Sequence, residues 1–264
     1  MRWVIAGYLR RDWLVWSSYR FAAVWQLAAV AAVIVGIAFA GNVIVKKATL
    51  FNGSSDYASF ALAGLAFTDA LFSALTGPSH AIRDGQTSGT LEPIFLTPIR
   101  SWQFVMGSSA FQVLLAFFRT GLFIFAAVVF LGFWHHADVP AAVLVLAPAF
   151  VAYLGLGLLA SAFTVVVKQG QPVVSGYIAL SGLLGGTLIP IGLLPRWVQA
   201  ISQALPLTQA LSVMRLALAG RSLASVGTSI AVLAVLAAIL LPVGLLAVTK
   251  ATQRSRREGS LVVY

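Results

Sequence analysis

Residues 82–100 read IRDGQTSGTLEPIFLTPIR, a polar island between two long apolar stretches. The island carries Arg83, Asp84, Glu92 and Arg100, with two prolines, Pro93 and Pro98, at fixed places and a core that can form a helix. Nearly everything around it has the composition of a membrane span. It is more than a turn joining two spans, and reads as a surface offered to another protein on one side of a bilayer.

The rest of the chain supports the membrane reading. Of 264 residues, 60% are hydrophobic and only 9% charged, against roughly 25% charged in soluble domains. Several apolar runs reach the roughly 20 residues that cross a bilayer as a helix. The composition therefore describes one integral membrane domain without room for a large soluble one. The net charge of +10 sits at the ends of apolar segments instead of forming a basic face, which fits the positive-inside rule and excludes nucleic acid as a partner. The chain has no cysteine, so disulfides, thiolate metal sites and cysteine nucleophiles are excluded. Ala38-Phe39-Ala40 has the form of a signal-peptide cleavage site. The apolar stretch before it is as long as a full span, too long for an ordinary signal core, and reads as a retained first span.

The expected architecture is all-α and polytopic. Residues 1–20 interleave Arg2, Arg10, Arg11 and Arg20 with Trp3, Tyr8, Trp13, Trp16 and Tyr19. That mixture suits a helix lying in the headgroup layer, in preference to a snorkelling flank of the first span. Six spans are expected near 21–41, 58–80, 104–132, 140–167, 172–193 and 225–249. The single membrane domain then divides into an interfacial helix (1–20), spans one and two (21–80), the polar segment (81–101), spans three to five (102–193), an external broken segment (194–224), span six (225–249) and a basic, solvated tail (250–264).

An even number of spans puts both termini on one side. On that side fall Arg2, Arg10, Arg11, Arg20, Arg83, Arg100, Lys168, Lys250, Arg254, Arg256 and Arg257. The opposite side has Lys46, Lys47, Arg196, Arg215 and Arg221. The bias places the termini and the polar island in the cytoplasm, giving a multi-pass protein of the cell membrane.

Residues 194–221, LPRWVQAISQALPLTQALSVMRLALAGR, are moderately apolar, broken by Pro195 and Pro206 and closed by Gly220. Each proline removes a backbone donor and interrupts a helix. Two short helices that dip into the outer leaflet without crossing fit this pattern, and backbone at such depth has to be covered by protein or line a wet space.

Asp69 and Arg119 are charges deep within spans, where they are costly and usually face a pathway or each other. Asp69 lies 11 residues before His80, and Arg119 lies 11 residues after Ser108. At about 1.5 Å per residue the two sit at similar depth. An ion pair between spans two and three is one reading. The other is that each faces a polar cavity or a subunit interface separately. His135, His136 and Asp138 lie in a short external loop and lack the ligand number and spacing of a metal site. Asn52-Gly53-Ser54 has the glycosylation form and reads as an Asn-Gly turn. No catalytic constellation is visible, because the serines and histidines are not placed as an activated nucleophile requires.

The chain resembles the permease subunits of type-2 ABC exporters, a family that includes daunorubicin-resistance-like drug efflux permeases and lipid or polysaccharide exporters. The resemblance rests on Gly89-Thr90-Leu91-Glu92 followed by Leu96-Thr97-Pro98 and Gly107, and on Pro195, Trp197, Ile201, Pro206, Arg215 and Gly220 in the broken segment. The interfacial helix and six spans agree, so it covers nearly the whole chain. Many members carry a Glu/Arg-rich run where Gly85-Gln86-Thr87-Ser88 stands here, a departure that bears on the detail of a partner contact.

The resemblance implies that the island forms a cytoplasmic coupling helix docked on an ATPase. Gly89, Thr90, Leu91, Glu92 and Pro98 are the candidate coupling residues, and Pro195, Trp197, Pro206, Arg215 and Gly220 the re-entrant ones. It implies two permeases, identical or homologous, with two ATP-binding subunits in surrounding membrane lipid. The sequence contains no G-x-x-x-x-G-K-[ST] phosphate loop, so ATP and magnesium would be held by the partner. The expected cargo is an amphiphilic drug, lipid or glycan, because the loops leave no large external domain. A pathway would run mainly along spans one, two and five. The competing readings are an ion-coupled secondary transporter, a membrane enzyme, and a scaffold or immunity protein that binds without transporting.

Overall fold

The computed structural model describes residues 2–44, 57–97, 99–131, 139–167, 170–218 and 223–257. These residues are helical, with no strand among them. In chain order the helices are α1 (Arg2–Ser18), α2 (Arg20–Ile44), α3 (Tyr57–Thr87), α4 (Leu91–Leu96), α5 (Ser101–Leu131), α6 (Val139–Val167), α7 (Gln171–Leu184), a 3₁₀ turn (Ile191–Leu193), α8 (Arg196–Ala204), α9 (Pro206–Leu218) and α10 (Leu223–Arg257). Among the described residues, four stretches are long and apolar enough to cross a membrane: Phe60–Thr87, Ser101–Phe123, Leu146–Val167 and Ile230–Arg257. Val24–Ile37 in α2 and Gln171–Leu184 in α7 are shorter apolar stretches.

Helix α6 is the centre of the bundle, packed on α3 and α10, while α3 also packs along α5. Glycines make the α6 crossings close. A methyl group at Gly155 would lie 2.6 Å from the backbone carbonyl carbon of Leu240, and one at Gly244 would lie 2.6 Å from the carbonyl oxygen of Gly155. Small residues that let backbones touch are how helices associate in lipid, where burial of apolar side chains gives little drive. Gly155→Val should therefore cost about 2–3 kcal/mol by overpacking, read as a lower midpoint of thermal unfolding in detergent. Gly176→Val, at a position with open space around it, should leave that midpoint unchanged.

One end of the bundle gathers Ile82 of α3, Leu91 of α4, Phe104 and Val105 of α5, Leu158 and Val165 of α6, and Val248 of α10, with Tyr8 of α1 against them. The polar segment, the first helix and the last helix thus share one end. The other half is built on Phe67 and Leu71 of α3, Tyr153 of α6, Leu207 and Met214 of α9, and Leu233 of α10. Helix α2 is attached through Ile34, which meets Leu62, Ala66 and Phe123.

Helix α1 is separate from α2 and lies along the first turns of α5. Tyr8 meets Phe104 edge-on, and further along Trp16 meets Phe111. Trp13, Leu14 and Val15 remain exposed. Burial pushes the Tyr8 phenol above its ordinary pKa, against an opposing effect of Arg11, so Tyr8 is neutral at physiological pH.

Three boundaries differ from expectation. Helix α3 does not end near residue 80 but continues through Pro78 to Thr87; prolines are tolerated in such helices when neighbours satisfy the freed backbone groups. The fifth apolar segment is helical only to Leu184, not to 193, because the chain turns at Gly185 and Gly186, the latter at φ +81°. Its 14 residues span only about 21 Å, short of the roughly 30 Å hydrocarbon core. The tail expected from 250 onward is helical to Arg257 and is partly packed, with Ala251, Thr252 and Ser255 buried. Basic residues in a last helical turn are favoured by the helix dipole. Lys46, Lys47, Asn52, Gly53, Ser54, Pro98, His135, His136, Asp138, Lys168, Gly220 and Arg221 lie outside the described residues.

Candidate functional site

The polar segment is built by a helix stop, a turn and a short helix. At the end of α3 the Ser88 amide donates to the Asp84 carbonyl at 3.0 Å, and the Gly89 amide to that of Gln86 at 3.3 Å. Gly89 adopts φ +65°, the left-handed conformation that ends helices and favours glycine. Ser88 Oγ donates to Asp84 O at 2.6 Å and lies 2.8 Å from Thr90 Oγ1, holding the turn into α4. Leu91 is buried against Ile82, Phe104 and Val105, and so anchors the short helix. Pro93 and Leu96 face outward, Leu96 at 83% exposure. Gln86, in the stretch that departs from the family pattern, is turned inward and buried, which removes it from any partner surface. Glu92 lies on α4; its side chain is outside the described residues.

Deeper in the bundle, Arg119 of α5 meets Asp69 of α3. Arg119 Nε donates to Asp69 Oδ2 at 2.8 Å and Nη2 to Oδ1 at 3.3 Å, while Nη2 also reaches Ser73 Oγ at 3.1 Å. The guanidinium fork matches the carboxylate on both oxygens. Asp69, Ser73, Thr76 and His80 follow at intervals that place them on one face of α3, and all four are half-buried. Gln171 Nε2 lies 3.1 Å from His80 Nε2 and 3.2 Å from Nδ1. A polar stripe therefore runs from the ion pair toward the α4 end. Ser73, Thr76, His80 and Gln171 were not singled out from the sequence. The signal available was polar residues at helical spacing through an apolar span.

Helix α7 runs antiparallel to α3 along this stripe. Its start is beside His80, Gly182 is near Phe72, and Thr187 Oγ1 lies 3.1 Å from Thr68 Oγ1. Leu75, Leu156, Phe163, Val173 and Tyr177, from α3, α6 and α7, line an apolar cleft of about 240 Å³.

At the opposite end the two prolines mark helix starts, a position proline suits. Pro195 precedes α8 and Pro206 opens α9. Leu207, just past the elbow, is fully buried in the same cluster as Tyr153, whereas Trp197 on α8 is exposed. Arg215 is buried without a carboxylate among its described contacts. Its Nη2 donates to Thr187 O at 3.0 Å and Phe60 O at 3.4 Å, and its guanidinium carbon lies 3.6 Å from the centre of the Phe60 ring. A methyl group at Gly64 would run into Thr187 O and Arg215 Nη2. Arg215 thus ties α9, the turn after α7 and the start of α3 into one knot. The sequence alone suggested an external charge.

No group of three or more His, Cys, Asp or Glu side chains that could hold a metal is found among the described residues. No curated protein matches the chain at a significant level. Residues 29–246 match the family described as ABC-2 family transporter protein, a stretch that takes in the polar segment, the ion pair, the α8–α9 elbow and most of α10. The chain therefore belongs to the ABC-2 family of transporter proteins and is a multi-pass membrane permease.

Proposed function

We propose that this chain is the permease subunit of an ATP-driven exporter, and that α4 is the contact through which a separate ATP-binding subunit drives it. The observation that carries this reading is the build of the polar segment. A short helix is pinned inward by Leu91, offers Pro93 and Leu96 outward, and is joined through Gly89 to α3 and through residues 97–100 to α5. Both flanking helices are 31 residues long and are cross-linked by Asp69 and Arg119. A push on α4 is thereby passed along two tied helices.

In this reading the bundle crosses the membrane six times, through α2, α3, α5, α6, α7 with the turn that follows it, and α10. Both termini are cytoplasmic in this reading, which the basic residues at the α4 end support. Two permeases, identical or homologous, work with two ATP-binding subunits that hold ATP and magnesium. The cargo is amphiphilic, consistent with a polar stripe and an apolar cleft side by side along α3 and α7. The ion-coupled alternative relied on Asp69 as a proton or cation carrier. That carboxylate is held on both oxygens by Arg119.

Glu92→Ala should lower cargo-stimulated ATP hydrolysis about tenfold, the size of a lost charge-assisted hydrogen bond, while the subunits still copurify. Unchanged transport by that variant would remove Glu92 from the coupling contact.

A further inference from the structure

A cleft of about 470 Å³ lies between the α4–α5 link and the end of α10, lined by Ile99, Arg100, Trp102, Thr249, Gln253 and Arg256 among others. Its volume is that of a small-molecule site. Among the described residues, none that lines it is acidic. The two arginines come from opposite walls. Thr249, Gln253 and Arg256 recur at the spacing of one helix face, and Lys250 and Arg257 follow one position round the same helix. Buried Ala251, Thr252 and Ser255 fix the other face of α10 against the bundle, so the basic face is held toward the cleft and the water.

The position along the membrane is equally specific. Helix α5 enters its apolar stretch from Ser101, and the apolar run of α10 from Ile230 gives way to Lys250, Arg254, Arg256 and Arg257, so the cleft lies at the polar end of both apolar stretches. Trp102 has the side chain that settles at that level. Four basic residues directly after a membrane helix, opening on a basic pocket between helices, are the pattern that selects anionic headgroups. Arginine forks suit phosphate oxygens in particular.

We infer that this cleft binds the phosphate of an anionic phospholipid, with Arg100 and Arg256 as its two clamps, Thr249 and Gln253 as polar contacts, and Ile99 with Trp102 against the glycerol backbone. The bound lipid bridges the α4–α5 link to the end of α10. This site adjoins the proposed partner contact at Thr97, but the inference does not rest on that contact.

Trp102 supplies the readout. The full-length protein is placed in phosphatidylcholine nanodiscs doped with brominated phosphatidylglycerol or brominated phosphatidylcholine, and the Trp102 signal is taken by difference from Trp102→Phe. The expected result is stronger quenching by the anionic lipid, weakened about fivefold for each arginine removed in R100Q and R256Q, and kept in R10Q, a change outside the cleft. Equal quenching by both lipids, or equal loss in R10Q, overturns the site in favour of a general surface charge. A response of Trp102 to inorganic phosphate in detergent, without any lipid preference, overturns the lipid as the source. A lipid preference unchanged in R100Q and R256Q, with loss of copurifying ATP-binding subunit, overturns it in favour of a protein contact.

Discussion

Arg119→Ala should destabilise the folded bundle by about 3 kcal/mol, the lower end of the cost of stripping one partner from a buried ion pair. The variant leaves the Asp69 carboxylate in the span with Ser73 as its neighbour and no cation. Asp69 is 34% and Arg119 23% exposed, which is why the lower end of that cost applies. The exchange Asp69→Arg with Arg119→Asp should recover part of the loss, because opposite charges still face each other between α3 and α5, although the contact of Arg119 with Ser73 is not reproduced. The measurement is thermal unfolding of the purified protein in one detergent across both single variants and the double exchange. If each charge acted alone, the two single effects would simply add and the exchange would rescue nothing.

Arg215→Met should cost about 3 kcal/mol, combining a charge-assisted hydrogen bond to Thr187 with a desolvated stack on Phe60. Methionine keeps most of the aliphatic stem, so the loss reports mainly the guanidinium contacts. Arg215→Lys should recover little, since an ammonium cannot lie flat on the ring and reach two carbonyls together. The α7 turn and α9 would then come apart from the start of α3, and transport should fall further than unfolding alone accounts for. A full-strength R215M transporter with an unchanged unfolding midpoint would show that the knot at Arg215 is dispensable.

Much of this fold is legible in the sequence, and the parts that are not have physical causes. Pro195 and Pro206 mark the α8 and α9 starts because proline suits the first turn of a helix and little else inside one. The turn at Gly89 is not read from the sequence, where Gly89 enters only as part of the Gly89-Thr90-Leu91-Glu92 motif. The end of α7 is not legible either, since residues 185–193 are as apolar as a span and hydropathy cannot register a turn made by backbone geometry. Pro78, followed by a polar run, looks like the end of a span, yet α3 continues because its last turns pack on α4 and α5. In the site, equal depth brought Asp69 and Arg119 together as one of two open readings. The burial of Arg215 was invisible, because its partners are backbone carbonyls and a ring face more than 25 residues away in sequence, which no local pattern encodes.

The proposal that α4 receives the ATP-binding subunit is tested most directly by photocrosslinking. p-Benzoylphenylalanine is placed at Leu96, exposed on α4, or at Trp197, exposed at the opposite end of the bundle, in protein coexpressed with an ATP-binding subunit that copurifies with it. The account predicts a crosslink to that subunit from position 96 and none from position 197. A crosslink from position 197, or none from position 96 in a complex that still hydrolyses ATP, would contradict it.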